Sequence, residues 1–99
     1  MSKKKLDELG VSAFCESMAM MVQSGIQTDE AISLLQSEHG SKAGVLEQGL
    51  AVMKEQVDRG AGLAAAMKES GIFPDYALEM IEAGERAGRL EDVLVRLSR

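Results

Sequence analysis

One stretch of the sequence decides the fold: residues 80–94 read MIEAGERAGRLEDVL. Apolar or small residues recur at helical spacing on both sides of Gly88. These positions are Met80, Ile81 and Gly84 before it and Leu90, Val93 and Leu94 after it. Since glycine commonly ends helices, the stretch predicts two amphipathic helices, the fifth and sixth of the chain, that meet at Gly88.

The rest of the sequence has the same periodicity and no sustained alternation of the kind that marks strands. It predicts four earlier helices with apolar inner stripes. The stripes are Val11, Phe14, Met18, Met21 and Val22; Ala31, Leu34 and Leu35; Leu46, Leu50, Met53 and Val57; and Leu63, Ala66 and Met67. Short loops make consecutive helices lie side by side. We therefore predict an all-α antiparallel bundle of about six short helices.

The helix boundaries follow from turn and capping residues. The predicted breaks lie at Gly25, the loop 37–42, Gly60, Gly71 and Gly88. Thr28 is the expected N-cap of the second helix, and Pro74 should stand just inside the start of the fifth. The third helix should run from about residue 43 to 59. We divide the chain into a flexible N-terminal segment, 1–10, and one helical domain, 11–99.

The charge balance limits the possible partners. The net charge is −5, and the pI is about 4.8. This argues against nucleic acid, whose binding needs clustered Lys and Arg to displace counterions, and less strongly against lying flat on an anionic membrane. The one basic run, Lys3 to Lys5, is interpreted as a solvated tail, with a juxtamembrane or polyanion contact as the alternative.

Targeting signals are lacking in the sequence as given. The basic start leads into Leu6-Asp7-Glu8-Leu9 and not into the apolar run of a signal peptide. No window approaches the roughly 18 apolar residues that span a bilayer, so the chain is expected to be soluble. Its single cysteine, Cys15, cannot form an internal disulfide and suits a reducing compartment.

No constellation of catalytic or metal-binding residues is found. His39 is the sole histidine, expected in a surface loop, and Cys15 is expected to be inert and half-buried. The glycines do not form a phosphate cradle. Several carboxylates are expected on outward faces: Glu47, Glu55, Glu91 and Asp92. We predict no enzyme, no cofactor and no metal site; a cation held between carboxylates would have no spacing signature behind it.

A charged cluster on the fifth helix is the candidate interaction surface. It consists of Glu82, Glu85, Arg86 and Arg89. Glu82 precedes Arg86 by four residues, and Glu85 precedes Arg89 by four, an order in which ion pairs support a helix by about 0.2–0.5 kcal/mol each. The simpler interpretation is a salt-bridged outer face, and the functional alternative is a docking surface. A helix-packing signature accompanies it: Gly25, Gly84, Gly88 and Leu90.

Five segments, in this order, resemble the type II secretion system F domain. They are residues 14–26 (FCESMAMMVQSGI), 30–35 (EAISLL), 57–67 (VDRGAGLAAAM), 73–74 (FP) and 80–94. The last is similar to the family's closing signature, a small residue, Gly and Glu followed by Gly-x-Leu and an aliphatic pair. The ordered set covers about residues 11–97. Methionine stands in place of leucine at several inner positions, so the subfamily stays open.

The resemblance implies an inner-membrane platform protein of type II secretion, type IV pilus or competence-pilus assembly. Such proteins carry two copies of this domain on the cytoplasmic side and couple a hexameric ATPase to the extraction of pilin-like subunits. The expected partners are the assembly ATPase, other inner-membrane assembly proteins and a second copy, giving a homodimer. The family continues into a membrane helix where this chain stops at Arg99, so a piece of a longer protein is expected.

The alternative is a stand-alone helical adaptor or regulatory domain whose signature is a coincidence of bundle design. A hydrophobic stretch of about 20 residues soon after Arg99 would favour the platform protein. A stop codon or a soluble domain there would favour the adaptor. A small enzyme with a borrowed catalytic partner is the least favoured, because no site is visible.

Overall fold

The structure is a computed structural model that describes residues 4–40 and 44–99. In these residues the regular structure consists of six α-helices, without strands. The helices are α1 (Glu8–Gln23), α2 (Thr28–His39), α3 (Val45–Asp58), α4 (Leu63–Ser70), α5 (Asp75–Ala87) and α6 (Leu90–Leu97). This confirms the predicted all-α bundle. Lys3, the end of the predicted loop and the predicted third-helix start at residue 43 lie outside the described residues.

The helices form a closed ring in chain order. Each helix packs against the next one, and α6 packs against α1. One hydrogen bond reinforces the closure, since the Ser12 hydroxyl of α1 donates to the Ser98 carbonyl after α6 at 2.8 Å. A second bond, from the Leu6 N–H to the Ile72 carbonyl at 2.8 Å, joins the segment before α1 to the connection between α4 and α5. Because helices this short are marginal in water by themselves, their stability comes from this mutual packing.

The core inside the ring consists mainly of aliphatic side chains and methionine. Met18, Met53 and Met67 are fully buried, and their unbranched side chains adapt to irregular gaps. One aromatic pair joins α1 to the segment before α5: the rings of Phe14 and Phe73 have centroids 5.0 Å apart and an interplanar angle of 56°. This distance lies in the range of favourable aromatic contacts.

Glycines end α3 and α4 where the sequence predicts it. Gly60 follows the end of α3 with a φ of 95°, and Gly71 ends α4 in the left-handed region with a φ of 71°. A side chain with a Cβ atom rarely adopts this conformation. The turns that reverse the chain between α3, α4 and α5 therefore depend on residue type at these two positions.

The first helix begins earlier than the sequence suggests. α1 begins at Glu8, three residues before the predicted domain start, because Asp7 caps it: the Gly10 N–H donates to the Asp7 carboxylate at 2.8 Å. The N-terminal segment is thus helical over its last residues. The division into a flexible segment, 1–10, and a domain, 11–99, stays a prediction.

Three further helix ends differ from the prediction. Thr28 is the first residue of α2, so the N-cap position falls on Gln27, whose side chain makes no capping bond. α2 continues through His39 into the predicted loop, because the polar residues there do not end a helix, whereas Gly40 does. Pro74 is the N-cap residue of α5 and lies one position before its predicted place.

Candidate interaction surface

The outer side of α5 carries an acidic strip. The buried face of this helix consists of Ala77, Ile81 and Gly84. Asp75, Glu79 and Glu82 follow one another at spacings of four and three, so they lie on one side of the helix. Together with Lys68 of α4 they line a groove of about 430 Å³ between α4 and α5. The sequence analysis did not include Asp75 in the candidate surface. Its spacing of four residues from Glu79, which places both carboxylates on one side of a helix, could have identified it.

Glu82 and Arg86 form the ion pair that their spacing predicts. The Arg86 guanidinium lies 3.2 Å from the Glu82 carboxylate, and the two side chains are 77% and 61% exposed. An exposed pair of this kind contributes about 0.2–1 kcal/mol to stability. Both charges are therefore accessible to a partner at little cost to the fold.

Glu85 is not part of the exposed surface, which corrects the predicted cluster. Its two carboxylate oxygens accept hydrogen bonds from the backbone N–H groups of Leu63, at 2.8 Å, and Ala64, at 2.9 Å. The N-cap residue of α4, Gly62, has no side chain to do this. A helix start leaves N–H groups unpaired and favours negative charge. Glu85 therefore caps α4 from a neighbouring helix.

Glycine at position 62 gives Glu85 the room to reach the helix. A Cβ atom at Gly62 would lie 3.0 Å from the nearer Glu85 oxygen, closer than ordinary contacts allow. The carboxylate can thus approach the backbone of α4 directly. Residue 62 and residue 85 form one capping arrangement across two helices.

The predicted Glu85–Arg89 ion pair does not form. α5 ends at Ala87, so Arg89 lies beyond the helix and outside the spacing rule that predicted the pair. The Arg89 guanidinium lies 3.4 Å from the Asp92 carboxylate in α6, and both groups are exposed. Arg89 therefore belongs to the surface around α6.

The four residues of the predicted packing signature have different roles. Gly84 is buried, and a Cβ atom there would lie 2.7 Å from Cγ2 of Val93, so α5 and α6 approach closely at this point. Gly25 and Gly88 are exposed turn residues with φ of 92° and 69° and open space around them. Leu90 is half-buried and packs against the core. Of these three glycines, Gly84 is therefore the one at which two helices approach each other closely.

The remaining candidate residues serve the fold. His39 Nδ1 lies 2.7 Å from a Glu47 carboxylate oxygen, which joins the end of α2 to the start of α3. The Glu47 side chain is only 13% exposed and does not face outward as predicted. Cys15 is fully buried, and burial raises the pKa of its thiol from 9.0 to about 12, so the reactive thiolate is disfavoured.

Residues 4–40 and 44–99 offer neither a metal-binding cluster nor a membrane-spanning helix. They contain no group of three or more His, Cys, Asp or Glu side chains placed to hold a metal ion. No helix among them has the length and apolar content required to cross a bilayer.

The fold and these side chains define a small helical domain in which several charged groups cap helices or form surface ion pairs. The family model described as "Type II secretion system (T2SS), protein F" matches residues 14–99. Because this match covers most of the sequence, the chain belongs to the type II secretion system protein F family, and the resemblance noted in the sequence is confirmed.

The names of curated relatives agree with this family assignment. The type II secretion system protein F of Pseudomonas aeruginosa is 28% identical over 86 residues, which are 87% of this chain and 21% of the relative. The protein of the same name from Xanthomonas campestris is 29% identical over 98 residues, 97% of this chain and 24% of the relative. The type IV pilus assembly protein PilC of Myxococcus xanthus is 22% identical over 93 residues, 94% of this chain and 22% of the relative. The chain thus spans a quarter or less of the length of these relatives.

Proposed function

We propose that this chain is a cytoplasmic protein-interaction domain of an inner-membrane platform protein. In this role it helps to couple the assembly ATPase to pilin subunits during assembly of a type II secretion pseudopilus or a type IV pilus. The family match over residues 14–99 carries the proposal. The relatives include a type II secretion system protein F and a type IV pilus assembly protein, which supports both forms of the machinery.

The outer side of α5 is the surface that we propose for the ATPase. Glu82 and Arg86 offer two accessible charges of opposite sign, and Asp75 and Glu79 extend the negative charge along the groove. Complementary charges mainly set the rate and specificity of association. Glu85 is not one of the groups offered to the partner. Its carboxylate is bound to the backbone of α4 and holds α4 against α5 beneath this surface.

A charge-swap experiment tests this surface. Glu82→Lys combined with Arg86→Glu keeps the net charge and can re-form the ion pair, so the fold should survive. We expect binding to the assembly ATPase of the same organism, measured by fluorescence anisotropy, to weaken at least about tenfold, because like charges then face each other across the interface. Light scattering on the same samples should show the expected homodimer for both proteins.

The matched control is the Glu55–Arg59 pair on α3. It has the same spacing of four residues, and its side chains are 65% and 70% exposed. Glu55→Lys combined with Arg59→Glu should bind the ATPase as the parent chain does. Equal affinity for all three proteins would remove the α5 surface from consideration, and no binding of the parent chain would count against the proposed role.

A further inference from the structure

Two neighbouring helices, α1 and α2, each expose an apolar side chain that the core does not use. Met20 of α1 is 63% exposed, and Leu34 of α2 is 45% exposed. The apolar spacing of the sequence predicts Leu34 on the inner stripe of its helix, but in the structure Ile32 is fully buried and Leu34 is not. Both helices therefore carry more apolar surface than the fold buries.

These two side chains line an open groove between α1 and α2. The groove has a volume of about 190 Å³, and its lining also includes Ser17, Met21, Leu35 and Glu38. Pockets for small molecules are usually larger, about 300–1,000 Å³. The groove therefore suits one or two side chains of another protein better than a small ligand.

Carboxylates surround the groove. α1 contains two acidic residues and α2 contains three, and neither helix contains a lysine or an arginine. Glu16 lies four residues before Met20 on α1, and Glu30 and Glu38 lie four residues before and after Leu34 on α2. Residues at this spacing are neighbours on a helix surface. All three carboxylates are exposed, and none forms an ion pair with another residue in the described part of the chain.

We propose that this face binds a basic amphipathic helix of a partner protein. We call it the α1–α2 face and define it by Glu16, Met20, Glu30, Leu34 and Glu38. The apolar stripe of such a helix covers the exposed methionine and leucine. Lysine or arginine on both sides of the stripe meets the carboxylates on both walls of the groove. The flexible methionine side chain adapts to the shape of the apolar stripe.

The positions of the carboxylates specify the partner further. Glu30 and Glu38 are eight residues apart, which corresponds to about 12 Å along α2. A partner helix that lies along the groove matches this distance with two cations seven or eight residues apart on one side of its apolar stripe. The expected partner segment is therefore a helix of at least two turns, with cations flanking a narrow apolar stripe.

Charge distinguishes this face from the other open apolar groove of the molecule. Leu9 and Tyr76 line that groove together with Glu8, Arg96 and Arg99, so charges of both signs border it and favour no single kind of partner. A second copy of this chain is also a poorer occupant of the α1–α2 face. Two such faces packed against each other would oppose carboxylates to carboxylates.

Fluorescence anisotropy with designed peptides tests the inference. The probe is a labelled peptide of about 18 residues, long enough to form a helix, in which leucine recurs at spacings of three and four residues and lysine flanks it on both sides. A scrambled peptide keeps the composition and charge without the apolar stripe. A third peptide has glutamate in place of lysine. We expect the first peptide to bind and the other two to bind at least about tenfold more weakly.

Variants of the α1–α2 face should weaken binding of the first peptide. Met20→Ser and Leu34→Ser should each weaken it by at least about threefold, because roughly half of each side chain remains to be covered. Glu30→Lys combined with Glu38→Lys should weaken it by about tenfold and reduce its dependence on salt, because attraction at two positions becomes repulsion.

Matched controls make the same changes elsewhere, and circular dichroism verifies that every variant is folded. Glu91→Lys combined with Glu69→Lys reverses one carboxylate in the first turn of a helix and one in a last turn, as the test pair does. Leu9→Ser removes a leucine that is 77% exposed from the other groove. Both controls should leave binding within about twofold of the parent, since neither touches the α1–α2 face.

Four results would overturn the inference. They are no binding of the first peptide, equal binding of either comparison peptide, an equal loss in the test and control variants, and a peptide-free dimer that Leu34→Ser dissociates, which would make the face a contact between copies of this chain. The assay contains no ATPase, and the α1–α2 face shares no residue with the α5 surface. Its failure would therefore leave the proposed function untouched.

Discussion

Replacing Glu85 by alanine should lower the free energy of unfolding by about 2–3 kcal/mol. The change leaves the N–H groups of Leu63 and Ala64 without their carboxylate acceptor. Leu63 is fully buried, so its unpaired donor should cost about 1–2 kcal/mol, and the half-buried Ala64, which water can reach, about 0.5–1 kcal/mol. Loss of negative charge at the start of α4 adds a few tenths.

Thermal and urea unfolding measure this loss. A change of 1 kcal/mol shifts the Tm of a domain this size by about 4–8 °C, so the Tm of Glu85→Ala should fall by about 10–20 °C. Glu85→Gln retains one carbonyl oxygen and should lose about half as much stability. Amide hydrogen exchange should accelerate first at Leu63 and Ala64, since these are the groups that lose their acceptor.

Glu82→Ala is the control, because it removes a carboxylate from the same helix. Glu82 is 61% exposed and pairs with the exposed Arg86, so the loss should stay below about 1 kcal/mol. Equal Tm values for the Glu82 and Glu85 variants would refute the capping argument. Unchanged exchange at Leu63 and Ala64 in a destabilised Glu85→Ala protein would show that the lost stability arises elsewhere.

Two other perturbations test the packing of the core. Gly84→Ala should destabilise the domain by about 1 kcal/mol, because overpacking against Val93 exceeds the gain in helix propensity. Adding Val93→Ala to this variant should relieve the overpacking and raise its Tm. A double variant whose Tm is no higher than that of Gly84→Ala would contradict this explanation. Cys15 should resist iodoacetamide at pH 8 in the folded chain and react after urea is added, because burial raises its pKa to about 12. Rapid labelling of the folded chain would show that the thiol is accessible.

Local sequence rules predict most of the fold. The apolar stripes and helix-ending glycines depend on residues within one or two turns of each other, and such rules place the C-terminal ends of α4 and α5 correctly. The Glu82–Arg86 pair is predicted for the same reason, since both residues lie on one helix. The C-terminal end of α2 is an exception: Ser37, Glu38 and His39 look like a loop, but polarity alone does not break a helix.

Contacts between helices are what the sequence does not predict. Glu85 lies 22 and 21 residues from the two donors that it binds, so its role depends on how α4 packs against α5. Gly49 is similar: a Cβ atom there would collide with the Ile72 side chain, yet within α3 it looks like a weak helix former. Neither position carries a local pattern that distinguishes it from a surface Glu or an ordinary helical Gly.

The capping by Glu85 also bears on how the α5 surface could bind a partner. The acidic groove has walls from two helices, with Ala64 and Lys68 on α4 and Glu79 on α5. The chain connection fixes the end of α4 to the start of α5, and Glu85 fixes the start of α4 near the end of α5. With both ends of α4 held, the groove needs little ordering when a partner binds, which reduces the entropic cost of association. Glu85 can thus contribute to docking without touching the partner, by keeping the two walls of the groove in place.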